Sequence, residues 1–236
     1  MQNFPGFERL YALQDPFSKR PLRGEFDAKV DCLALTRGEA KTTREVSVSW
    51  AMGGALPSDF IWTTSAYPVI AHRRVLDLLR EHDITGWCTY PVSLKDKSGR
   101  SHSDYEGVTI LGRCGPVDLS RSVVALAEYP AGWFPHFLGH YFAEHSWDGS
   151  DLFMERADST GKVTARCFAT ERVRQAFQRA KIRNVLLERL TEQSVMTSIY
   201  EIGCSHLLPP DFAHRVSAAY ARAGIPQPKQ NDDRRG

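Results

Sequence analysis

The residues best equipped for chemistry sit together in one stretch, His136-Phe-Leu-Gly-His140-Tyr-Phe-Ala-Glu144-His145. On a helix, His136, His140 and Glu144 would share one face at i, i+4 and i+8. Two imidazoles one turn apart and a carboxylate can hold a zinc ion and leave a position for water. That donor set, with His145 as a further donor, suits a metal-dependent hydrolase. The pattern departs from a zinc-protease helix, because no Glu follows the first His to act as base. Gly139 weakens a helix here, whereas Pro135 is compatible with a first turn. The plainer alternative is an aromatic segment used for packing or for contact.

Other reaction centres are harder to find. There is no Gly-x-Ser-x-Gly elbow, and no cysteine stands in a nucleophile context. Gly112-Arg-Cys-Gly115 lacks a third glycine and runs into Pro116, so it is no phosphate cradle. Trp147-Asp-Gly-Ser-Asp151 lacks the alternating oxygen ligands and distal Glu of a calcium loop, and reads as a turn into a strand. The five cysteines, Cys32, Cys88, Cys114, Cys167 and Cys204, are odd in number and never form Cys-x-x-Cys. They predict neither a disulfide framework nor a thiolate zinc site. Cys32, Cys88 and Cys167 lie in apolar contexts that suit small core residues. The expectation is a protein that is not an enzyme and carries no metal or cofactor.

A balanced surface narrows the partners. The formal net charge is +2 over 236 residues, which argues against a nucleic-acid binder. The basic cluster from Arg172 to Arg183 reads as the solvated face of a helix. Met1–Arg9 has neither a basic n-region nor an apolar h-region and does not read as a secretory signal, and no apolar run approaches the roughly 20 residues of a membrane span. A cytoplasmic protein with no membrane association is expected.

The elements that would position any site show a faint internal repeat. Ala71, Arg74, Val75 and Ile84 reappear as Ala169, Arg172, Val173 and Ile182, each 98 positions on. An Asp-led apolar run stands before each copy, Asp59-Phe-Ile-Trp62 and Asp151-Leu-Phe-Met154, and a second apolar run follows each. Helices are predicted with Val75, Leu78 and Leu79, and with Val173, Ala176, Phe177 and Ala180, facing inward. Thr170 is a good N-cap. Gly86 and Asn184 occupy equivalent places, both tolerant of a left-handed turn.

Elsewhere, the arm to Gly24 reads as irregular, and strands are predicted at Ala28–Leu35, Glu45–Trp50, Gly107–Leu111 and Ser122–Ala127. A helix over Asp211–Ala223 is stopped by Gly224 and Pro226. The fold class is therefore α+β, with two related strand-helix-strand units, mixed or antiparallel sheets and a C-terminal helix. The expected divisions are N-terminal strands packing on the first unit (1–56), the first repeat unit (57–128), the aromatic and histidine segment with the second repeat unit (129–192), a helical extension (193–224) and a disordered tail (225–236).

Aromatics crowd the middle of the chain, with Trp133, Phe134, Phe137, Tyr141, Phe142 and Trp147 within about 15 residues. They either close the core between the repeat units or anchor a partner, since aromatic side chains dominate interface energetics. Trp133, Phe134, His136, Phe137, His140 and Tyr141 are the candidate contact residues.

The second unit also carries a family signature. Ser150-Asp-Leu-Phe-Met154, then Cys167-Phe-Ala-Thr-Glu-Arg-Val-Arg-Gln-Ala-Phe177 and Ile182-Arg-Asn-Val185, resembles the closing motif of the eleventh immunity family of bacterial polymorphic toxin systems and its double-Cys-x-x-Cys-Gly paralogues. Tyr90–Gly99, Val108–Leu111 and Val117–Ser122 are similar to the middle section of that family. The likeness spans roughly Pro57 to Glu192. Met154 and Lys181 stand where the family usually has Arg and Gly, and the Cys-x-x-Cys-Gly motifs are absent. The resemblance implies a non-catalytic partner that binds and occludes a cognate toxin domain.

Overall fold

The computed structural model describes residues 4–18, 20–26, 29–63, 70–161 and 166–228. In chain order the elements are β1 (Leu10–Gln14), β2 (Leu22–Phe26), α1 (Cys32–Thr36), β3 (Val46–Gly53), β4 (Phe60–Thr63), β5 (Ile70–His72), α2 (Arg73–Glu81), β6 (Trp87–Lys95), β7 (Ser101–His102), β8 (Tyr105–Ile110), β9 (Gly112–Cys114), β10 (Val123–Tyr129), β11 (Gly132–Leu138), β12 (Leu152–Glu155), β13 (Cys167–Thr170), α3 (Glu171–Arg179), β14 (Leu186–Arg189), β15 (Ser194–Met196), α4 (Thr197–Gly203) and α5 (Phe212–Ala223). The chain is α+β, as its patterning predicts. None of its described helices is long and apolar enough to cross a membrane. Two compact units form, one from Met1–Pro116 with Phe142–Arg189, the other from Val117–Tyr141 with Leu190–Gly236. These units cut across the sequence-based divisions at 128 and 192. Of the expected tail, residues 229–236 lie outside the described residues.

Six strands of the first unit close on themselves. The order β3-β2-β4-β5-β8-β6 is completed by a parallel pairing of β6 with β3, and β7 forms a hairpin with β6. Closure leaves no free edge along this ring, which removes the hazard of unpaired strand groups. Leu22, Val48, Ile61, Ile70, Val92 and Leu94 fill the interior. At about 1.5–3 kcal/mol for each large apolar side chain buried, this filling is a principal source of stability.

A second sheet of the same unit, ordered β14-β1-β13-β12-β9, repeats half of the first. In the barrel, β4, β5, β8 and β6 lie side by side and antiparallel, with α2 joining β5 to β6. In the sheet, β12, β13, β1 and β14 do the same, with α3 joining β13 to β14. The registers coincide as well. Phe60 faces Ala71 as Leu152 faces Ala169. Gly107 sits between Ile70 and Tyr90, and Ala12 between Phe168 and Glu188, the latter partners each 98 positions later. One strand differs in origin, since β8 follows the first copy whereas β1 precedes the second from the N-terminus. The second copy is thus a circular permutation of the first. The arm to Gly24, expected to be irregular, contains β1, whose partners lie more than 150 residues away.

The two copies share one core. Phe60, Trp62, Ala71, Val75, Leu79 and Val108 of the first meet Leu152, Met154, Ala169, Val173, Phe177 and Leu13 of the second, which are their equivalents. A reciprocal polar clamp locks them together. Asp59 accepts from Arg74 of its own copy at 2.5 and 2.6 Å, and from the N–H of Arg183 in the other copy at 2.7 Å. Asp151 accepts from Arg172 of its own copy at 2.8 Å, and from the N–H of Thr85 in the other at 3.1 Å. Arg74 also donates to the carbonyls of Ala180 and Lys181, and Arg172 to those of His82 and Asp83. Every one of these positions is matched at the offset of 98, or of 92 for the aspartates. That explains why Arg74 and Arg172 are among the few identities between the copies. The hydroxyl of Thr170, expected to cap α3, instead donates to Asp151 at 2.7 Å.

The turn after each helix shows why its residue types differ. Asp83 and Lys181 have φ of 48° and 52°, and Gly86 and Asn184 have φ of 86° and 59°. A Cβ at Gly86 would stand 2.1 Å from the Leu152 carbonyl oxygen, so no side chain fits. Asn184 has the room, and its amide donates to the carbonyl of Phe60, the residue equivalent to Leu152, at 2.7 Å.

Two local expectations are corrected. Of the strand expected at Ala28–Leu35, Ala28 lies outside the described residues, and residues 29–35 are not a strand, because the Asp31 carboxylate accepts from the Ala34 N–H at 2.9 Å and starts the short helix α1. Cys32 and Cys88 are not core residues, being half-buried and exposed; Cys88 precedes the part of β6 that enters the barrel.

The carboxylates give this unit a defined acid response. Arg174 holds the Glu171 carboxyl down to about 2, with burial opposing and Tyr11 and Gln175 assisting. Burial alone would raise Asp59, but hydrogen bonds from Arg74 and the Arg183 N–H keep it below its usual value. A depressed folded value means that the stabilisation is complete above the unfolded value and is lost as pH falls. The urea midpoint should therefore be flat above about pH 5 and decline from about pH 4.5 toward 2. Glu171→Gln should shrink that decline; an unchanged acid limb would refute the assignment.

In the second unit, β10, β11 and β15 form a three-stranded antiparallel sheet. Val216, Ala219 and Tyr220 of α5 pack on it with Val124, Phe137 and Tyr200. Gly224 caps α5 in the left-handed conformation, as its sequence predicts.

Candidate functional site

The β10–β11 hairpin divides its side chains with period two. Val124 pairs with Phe137 and Leu126 with Pro135 on the side covered by α5. Val123 pairs with Leu138, Ala125 with His136 and Ala127 with Phe134 on the other side, where Tyr129 and Met196 also lie. An antiparallel sheet with one wet face ordinarily alternates apolar-in and polar-out. Here the second face is apolar too. Val123 is 58% exposed, Tyr129 40% and Leu138 37%. The same unit exposes Ile199 and Ile202, three residues apart on α4, the latter at 88%. A contiguous apolar sheet face of this kind marks an interaction surface more often than scattered single residues do.

Polar groups on this face are internally satisfied. The His136 ring stacks on Tyr129 with centroids 5.6 Å apart, and Phe134 meets Tyr129 edge-on at 5.8 Å. His136 Nε2 pairs with the Tyr129 hydroxyl at 3.2 Å and Nδ1 with the Ser194 hydroxyl at 3.0 Å. Burial pushes the His136 ring below its usual basicity, which keeps it neutral at physiological pH.

The predicted contact residues divide accordingly. Trp133 is exposed at the end of the hairpin, with its carbonyl accepting from Tyr220, and Phe134 is half-buried. His136 is buried beneath Tyr129. Phe137 and His140 are corrected from contact to packing residues: Phe137 lies on the α5 side, edge-on to Tyr200, and His140 is almost fully enclosed. Tyr141 is half-buried under the Arg121 guanidinium, 4.9 Å from its ring centre. Phe142 and Trp147 belong to the first unit, packed around Phe153. Val123, Tyr129 and Leu138, the exposed residues of this face, were not singled out from the sequence, although the alternation of Val123, Ala125, Ala127 and Tyr129 already places the β10 members on one side.

The helical zinc site does not form. Residues 132–138 are extended, Gly139 turns the chain at φ +83°, and Glu144 and His145 lie in one turn of 3-10 helix. A Cβ at Gly139 would come within 2.5 Å of the Tyr141 ring, so this break is built in. Among the described residues no group of three or more His, Cys, Asp or Glu is placed to hold a metal ion. The two buried thiols are poor nucleophiles, since burial raises Cys114 and drives Cys167 up to about 12. No family model matches the chain, and no curated protein matches it.

Proposed function

We infer that this chain is an immunity-type binder that occludes a cognate toxin domain in the cytoplasm of the cell making it. The observation that carries this reading is the apolar outer face of β10, β11 and β15, with Val123, Tyr129 and Leu138 exposed. The resemblance of residues 57–192 to an immunity family supports it. Binding would bury an interface of standard size, about 1,600 Å² in total, with aromatic and aliphatic anchors at its centre. The chemistry of this role is shape and charge complementarity, and it requires no reacting group.

Affinity capture from the native host, with this chain as bait, tests the reading. The expected result is a stoichiometric partner that arrests growth when expressed alone and is harmless when this chain is co-expressed. A partner without toxicity, or none under conditions where toxin loci are expressed, would overturn it.

A further inference from the structure

The internal repeat serves as a control for what the scaffold itself requires. Around each clamp aspartate, the architecture needs an arginine on the following helix and a backbone N–H from the opposite turn. Both copies supply these. Beside Asp59 the first unit also holds an open cavity of about 520 Å³, lined by Asp59, His72, Arg74, Tyr105, Lys181 and Arg183 among others. The equivalents of His72, Lys181 and Arg183 around Asp151 are Thr170, Asp83 and Thr85. The clamp needs only the backbone of these turn residues: Arg183 gives its N–H to Asp59, and Lys181 gives its carbonyl to Arg74. Their cationic side chains are therefore additions that the fold does not demand.

Charge counting identifies what they suit. The one carboxylate lining the cavity is Asp59, and Arg74 neutralises it through two hydrogen bonds. Lys181 and Arg183 are exposed and enter no ion pair among the described residues. Two positive charges are left over at the rim of a concave site. His72 adds a donor, because its Nδ1 accepts from the Arg74 N–H at 3.1 Å and the neutral ring then carries its proton on Nε2. A phosphate monoester carries about −1.5 to −2 at pH 7 and three acceptor oxygens, which matches this surplus. A planar guanidinium beside a compact ammonium is also a favourable pair for phosphate oxygens.

We propose that this cavity is a binding site for the phosphate group of a small phosphomonoester, held by Lys181, Arg183 and His72. It is separate from the sheet face of the second unit and does not depend on the immunity reading. The test is calorimetric titration of the full chain at low salt with inorganic phosphate and glycerol phosphate, using malonate as a dicarboxylate of equal charge. Wild type should show saturable one-site binding of both phosphates, and malonate should bind at least ten-fold more weakly. Lys181→Asn, which tolerates the positive φ at that position, combined with Arg183→Gln should weaken phosphate at least ten-fold with an unchanged thermal midpoint. Arg9→Gln with Arg44→Gln, removing the same charge elsewhere, should leave binding intact. The proposal fails if wild type shows no saturation, if the two double variants weaken binding equally, or if malonate binds as tightly as phosphate.

Discussion

Replacing Asp151 with alanine should cost roughly 3–5 kcal/mol of stability, against about 1–2 kcal/mol for Asp59→Ala. The two residues hold equivalent places, so the difference must come from their surroundings. The Asp151 side chain is only 2% exposed and accepts from the Thr85 N–H, both threonine hydroxyls (Thr85 and Thr170) and Arg172. Its loss strands the buried Thr170 hydroxyl and breaks the bonds from the Thr85 N–H and hydroxyl at the edge of the core, and a stranded buried group costs about 1–3 kcal/mol before any relaxation. Both arginines are about half exposed and can turn to water, but Asp59 is itself 11% exposed and accepts from Arg74 and the Arg183 N–H with no buried hydroxyl beside them, so its removal strands less. Urea midpoints of the two variants, with Arg172→Ala completing a double-mutant cycle for the buried clamp, check this. A loss of less than 1 kcal/mol for Asp151→Ala would mean that the packed core alone holds the copies together.

Much of this scaffold is legible in the sequence because it is local. Both helices announce themselves by apolar spacing, and the Gly86/Asn184 correspondence marks the turn at which each copy meets the other. The identity of Arg74 and Arg172 is visible too, although its cause is not. That cause is a hydrogen bond to a turn about 100 residues away, and no local pattern encodes it. The same holds for β1. Leu10–Gln14 has no strong alternation, since both of its faces are covered, and it becomes a strand by inserting between β13 and β14. Circular permutation hides the fourth strand of the second copy from any scan at a constant offset.

The candidate site was half legible. The aromatic crowding at 133–147 is real, but the sequence does not say that the segment is shared between two units, nor which parity of β11 faces α5. His136 and His140 look like metal ligands only under a helical period. In the extended chain the first is enclosed by Tyr129 and Ser194, and the second follows a glycine-broken turn. Parity within β10 was available from Val123, Ala125, Ala127 and Tyr129, and it points to the exposed face without help from tertiary contacts.

That parity yields a sharp contrast between neighbouring residues. Leu138→Asp should leave the fold intact and weaken capture of the proposed toxin partner by about 2 kcal/mol or more, roughly thirty-fold in Kd. Phe137→Ala, one residue earlier, should instead lower stability by about 3–5 kcal/mol, because it empties the core beneath α5, where Phe137 meets Tyr200 and Phe212. Affinity of the folded fraction of that variant should be close to wild type. Trp133 pairs with Glu128 and so has the parity of Pro135 and Phe137; its ring is exposed and its structural hydrogen bond uses only the backbone carbonyl, so Trp133→Ala reports on the α5 side without emptying the core. Calorimetric or surface-based titration at matched folded concentration separates the two classes. If Leu138→Asp retains wild-type Kd, the partner does not sit on this sheet face. If Phe137→Ala weakens binding of folded protein more than Leu138→Asp does, the face in contact is the one carrying α5, and the exposed residues are incidental.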